Sequence, residues 1–124
     1  MSFSNYAEAK ILDVLFNNTA FGAVANTYVK LHTGDPGEDC TGNAAGHTTR
    51  VEATWAAASG GTITTDAAVT YTSMAAAETI SHVSVWDHLT AGNPLAYGAL
   101  SATKTVAIGD TLNFPSGDID VTLT

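Results

Sequence analysis

The sequence predicts a mainly β fold: an antiparallel β-sandwich or barrel-like domain of about eight or nine short strands, preceded by one amphipathic N-terminal helix. Three observations predict it. Only "NYAEAKILDVLF", residues 5–16, carries apolar side chains at helical spacing. From Thr27 onward, short β-branched runs alternate with Gly, Asp, Asn and Pro, at the spacing of strands in an antiparallel sandwich. The closing "DIDVTLT" alternates, with Ile119, Val121 and Leu123 directed to the core and Asp118, Asp120 and Thr122 to solvent.

The helix is expected to start at Asn5 as N-cap, with Glu8 three places on as a weak capping box, and to end at Asn17 and Asn18, before Gly22. Ile11, Leu12, Leu15 and Phe16 form its apolar stripe and are the candidate interface residues. Such a stripe must be covered, first by the sheet of its own domain or else by a neighbouring subunit. Strands are expected near 27–33, 48–56, 61–65, 68–72, 79–87, 95–101, 103–107, 111–114 and 118–123. Ser59 to Gly61, Gly109 with Asp110, and Pro115 to Gly117 supply turns, because glycine reaches positive φ and proline presets its own. "TSMAAAET", 72–79, is alanine-rich between strands and reads as a crossover. "HVSVWD" places Val83 and Val85 opposite Ser84 and Trp86, apolar on both faces, as in a central strand. Trp86 and Trp55 are expected in the core; Tyr6, Tyr28, Tyr71 and Tyr97 are left open between core and interface.

A chain of 124 residues suits a single domain, 1–124, with the helical segment over 1–18 and the β-sandwich over 27–124. Hydrophobic residues make up 45% and charged residues 13%, a composition that folds rather than stays disordered. Twelve acidic against four basic residues give a net charge of −8, which repels a phosphate backbone and disfavours nucleic acid as a partner. No basic run precedes an apolar segment, and no apolar stretch approaches the ~20 residues that span a bilayer, so neither a secretion signal nor a membrane partner is expected. The single cysteine, Cys40, makes no internal disulfide, in keeping with synthesis in a reducing cytoplasm.

Chemistry is sparse. H-E-x-x-H, the P-loop, G-x-G-x-x-G and G-x-S-x-G are all absent, and nothing selects a Ser-His-Asp set or a pair of glycosidase carboxylates. His82 and His88 bracket a strand and stand roughly 20 Å apart at a rise of ~3.3 Å per residue, too far to share an ion. His32 ends a strand and His47 lies in a loop, so hydrogen bonding to backbone or water is the expected role of the histidines. Asp35, Glu38 and Asp39 in "LHTGDPGEDC" are oxygen ligands suited to calcium, but not in EF-hand order. A turn with Pro36 second and Gly37 third accounts for the same residues. No catalytic residue, metal ligand or cofactor is assigned.

"YAEAKILDVLF", "YVKLHTGDPGED", "TWAAASGGTITTDAAVTY", "HVSVWD" and "NPLAYGALSATKTVAIGDTLNFPSGDIDVTLT" together resemble, in order and nearly end to end, small tailed-bacteriophage proteins labelled tail-fibre-like or fibre proteins. The segment "CTGNAAGHTT" after Asp39 departs from that pattern, leaving only Arg50 of its usual approach to the next strand. Ile119 stands for a usual Leu, and Trp86 and His88 for smaller or different residues.

The resemblance implies a structural virion component rather than an enzyme, made in the host bacterial cytoplasm and carried on the surface of head or tail. It further implies other virion proteins as partners, the major capsid protein or tail proteins, and a homo-oligomer, with a trimer one option. Head decoration and a fibre-like projection are both compatible with it; a tail-located receptor- or carbohydrate-binding module is the alternative, and a glycan hydrolase a third reading.

Overall fold

Ser4, rather than Asn5, caps the helix: its Oγ accepts the Ala7 N–H at 3.1 Å, and its carbonyl accepts Glu8 N–H at 2.9 Å. Glu8 therefore falls one place beyond the capping-box position. The computed structural model describes residues 1–123. In chain order its elements are β1 (Ser2–Phe3), α1 (Asn5–Phe16), β2 (Thr27–His32), β3 (Val51–Ala53), β4 (Thr62–Thr64), β5 (Val69–Tyr71), β6 (Glu78–Trp86), β7 (Pro94–Val106), β8 (Leu112–Phe114) and β9 (Asp120–Thr122).

The strands pair antiparallel throughout. A five-stranded sheet runs β1-β7-β6-β2-β3, and two ribbons, β4-β9 and β5-β8, complete the fold. The mainly β prediction holds, with β6 central as its two-faced apolarity requires. The second layer differs from a continuous sandwich sheet, being made of two separate ribbons. Val29 opposite Val85, and Leu31 opposite Val83, set the inner face of the sheet. Against them lie Val69, Tyr71, Leu112, Phe114 and Ile119 from the ribbons and the approach to β9. Each such side chain contributes about 1.5–3 kcal/mol by leaving water. Tyr71 is enclosed here, its hydroxyl donating to the Val29 carbonyl at 2.6 Å and its ring meeting Phe114 edge-on at 6.2 Å. Burial pushes its phenol well above the ordinary tyrosine range.

Three strand expectations need correction. The strands expected at 95–101 and 103–107 are one strand, β7, broken by a bulge: Ile80 pairs with Lys104 but His82 with Ala99, so Ser81 stands opposite the run from Leu100 to Thr103. β1 was not anticipated, because two residues carry no period; it adds to the sheet edge through Ser2–Tyr97 and Phe3–Ala96 pairing. Leu123 lies beyond β9 and is 57% exposed, whereas Ile119 and Val121 are buried as the alternation requires.

Residues 72–79 do cross between layers, from the β5-β8 ribbon into β6, with Met74 buried and bonded through its backbone to Asp110 and Gly109. Ser4 ties α1 to the sheet. Its N–H donates to Leu95 O at 3.0 Å, and its Oγ to Pro94 O at 2.6 Å.

Candidate functional site

The outer face of the large sheet carries Tyr28, Lys30 and His32 on β2 beside Trp86, Ser84 and His82 on β6, as the pairing register dictates. His32 is fully buried. Its Nδ1 lies 2.8 Å from Gly42 O and its Nε2 2.7 Å from Ser84 Oγ, while Ser84 Oγ accepts the Trp86 indole N–H at 2.9 Å. A carbonyl can only accept, so Nδ1 carries the proton; in the neutral ring that burial favours, Nε2 accepts from the Ser84 hydroxyl. Burial first, then the Lys30, His82 and Arg50 charges, hold its pKa below the ordinary histidine value, against the opposing Gly42 carbonyl. Topology, not sequence spacing, sets His32 directly across from His82. Both nitrogens of His32 are engaged, so this is a structural link rather than a ligand pair.

His47 and His88 are backbone partners too, whereas His82 Nδ1 lies 2.8 Å from the Ser81 hydroxyl. His47 Nδ1 accepts Ala75 N–H at 3.1 Å, and His88 Nδ1 accepts Thr90 and Ala91 N–H at 3.2 and 3.0 Å. The acids of 35–39 work locally: Asp35 Oδ1 accepts Gly37 N–H at 2.9 Å, and Asp39 Oδ1 accepts both the N–H and the hydroxyl of Thr41. Those Thr41 bonds lower the Asp39 pKa. Gly37 has φ +73°, as the turn requires, but the backbone bond closes from Cys40 N–H to Gly37 O. Pro36 and Cys40 are buried under this loop. Burial, then the Asp39 charge, pushes the Cys40 thiol up to about 12, so it stays protonated and unreactive. Among the described residues no three His, Cys, Asp or Glu side chains gather as a metal site.

Trp86 is buried, but on this outer face rather than in the main core, under the Arg50 guanidinium, whose carbon lies 4.0 Å from the ring centroid. Trp55 is only half-buried. Its Nε1–H donates to Thr27 Oγ1 at 2.7 Å, and its ring borders an apolar groove of about 310 Å³ between the large sheet and the β4-β9 ribbon. Phe3, Ile63, Leu95, Val121 and Leu123 line the same groove.

Phe3 and Leu123 also border a neighbouring depression of about 400 Å³, completed by Ile11 and Leu12 of α1. The helix itself buries only Ala7 fully. Ile11 is half-buried, while Leu12, Leu15 and Phe16 are 56%, 67% and 77% exposed. Covering of the whole stripe by its own sheet, the first expectation, is thus not what the fold does. The groove and the depression share Phe3 and Leu123, and through the depression the groove reaches Ile11 and Leu12 at the near end of the stripe. The meeting of Phe3, Leu95 and Leu123 was not legible in the sequence because the three are far apart along the chain; only the antiparallel pairing brings them together.

A family model described as podophage GP4 fiber I protein gp80 matches residues 2–122. No curated protein matches the chain.

Proposed function

The chain belongs to the podophage GP4 fiber I protein family, and from that membership we propose that it is a non-catalytic structural component of the virion surface, attached through the apolar stripe of α1. Leu12, Leu15 and Phe16 are the observation that carries the attachment. Left in water they cost burial energy, and covered by another virion protein or a second copy each contributes about 1.5–3 kcal/mol. The depression that links Ile11 and Leu12 to the Phe3 and Leu123 edge of the Trp55 groove supports a contact larger than one helix turn.

In this reading the five-stranded sheet and its ribbons form the projecting body, and α1, held by Ser4 to Pro94 and Leu95, presents the seat. Assembly as a homo-oligomer on the head, or as a fibre-like projection, uses the same surface. Purified particles test it. Virions carrying Leu15→Gln with Phe16→Gln are expected to lack the protein while the isolated variant stays folded; normal incorporation of that variant would overturn the attachment.

A further inference from the structure

We propose that the depression beside Trp86 binds the carboxylate of an acidic saccharide, held between Lys30 and Arg50. The chain has only four basic residues against twelve acidic ones. Two of those four, Lys30 and Arg50, line one depression of about 430 Å³, together with Thr48, Thr49, Leu89 and Thr90 and with no acidic side chain.

The two cations converge on one indole: the Arg50 guanidinium carbon lies 4.0 Å and Lys30 Nζ 5.6 Å from the Trp86 ring centroid. Each is attracted to the ring, but they repel each other. Burial, then the Arg50 charge, lowers the Lys30 pKa, and burial lowers that of Arg50 against the opposing charge of Asp87. An anion seated between them removes that repulsion.

Arg50 is also held in place before any ligand arrives. Its Nη1 donates to His88 O and to Ala91 O, both at 2.8 Å, which ties the guanidinium to the loop between β6 and β7. A planar guanidinium held through Nη1 alone keeps its other nitrogens for a carboxylate. The remaining lining favours a saccharide: a pyranose ring carries several hydroxyls directly beside its carboxylate, matching a lining in which three threonine hydroxyls, each donor and acceptor at once, surround the two cations. Leu89, 47% exposed at the rim, offers the C–H face of the ring an apolar contact. The volume is that of a small-ligand pocket. This site is distinct from the α1 stripe, and it stands whether or not the helix attaches the protein to the particle.

Titration of the isotope-labelled full chain with sodium glucuronate and with N-acetylneuraminate tests it, read at the Trp86 indole N–H and the Arg50 side-chain signals. At least one of the two acids is expected to move both signals. Glucose and acetate are expected to bind about tenfold more weakly, since each lacks half of the recognised group. Lys30→Gln, which leaves the Arg50 loop bonds intact, should weaken the response about tenfold with an otherwise unchanged spectrum. Absence of any response to both acids overturns the proposal. So does acetate matching them, which would mean an adventitious ion only, or an Asp- and Glu-rich peptide binding more tightly than either.

Discussion

His32 Nε2 lies 2.7 Å from Ser84 Oγ, and the same oxygen accepts the Trp86 indole N–H at 2.9 Å, so one hydroxyl joins two buried rings on adjacent strands. Removing it leaves an acceptor and a donor unpaired at once. Ser84→Ala is expected to lower stability by about 1–3 kcal/mol in urea unfolding.

The same link makes stability depend on pH. The folded pKa of His32 lies below 6.5, its ordinary value, so the unfolded chain binds the proton more readily. The contribution of a neutral His32 is therefore complete above about 6.5 and is lost as pH falls from there through the lower folded pKa. Urea midpoints measured from neutral to mildly acidic pH should fall on this limb, and His32→Gln should flatten it.

Ser4 performs two tasks with one oxygen, capping α1 at Ala7 and donating to Pro94 O. An N-cap to Ala replacement costs about 1 kcal/mol, and the stranded carbonyl adds a comparable amount. Ser4→Ala is expected to lower the unfolding midpoint and to raise amide exchange across Ala7 and Glu8 first. Equal protection in variant and parent would show that the helix is held by other contacts.

Tyr71 tests the join between the layers. Tyr71→Phe keeps the ring against Phe114 but removes the hydroxyl from Val29 O, leaving a buried carbonyl without that donor. A loss of about 1–2 kcal/mol is expected in denaturant melts, with the sheet pairing unchanged.

Periodicity made the helix, the central position of β6 and most of the strands legible, because alternation and helical spacing are local consequences of burial. Elements defined by long-range pairing were not legible. β1 is too short to show a period, and the single strand β7 looks like two because Leu100 to Thr103 bulge away from β6. The groove was hidden for the same reason, since Phe3 and Leu123 meet only after folding. Nor does spacing tell that Ser84 is enclosed between His32 and Trp86: a serine on the outer face of a strand reads as a solvent residue until the 33–50 segment is known to fold across it.

The apolar stripe separates stability from assembly. Deleting 1–18 would confound the two, because it also removes β1 and the Ser4 bonds to β7. Point changes do not. Leu15 and Phe16 are 67% and 77% exposed, so Leu15→Gln with Phe16→Gln should leave the unfolding midpoint of the isolated protein nearly unchanged, within about 0.5 kcal/mol per site. If the stripe is the seat, the same variant disappears from purified particles when their proteins are quantified by mass spectrometry. If the stripe instead supports the fold, the midpoint falls sharply and particle content falls only in proportion. Stability and incorporation measured on one variant therefore distinguish a helix that serves its own domain from one that serves a neighbour.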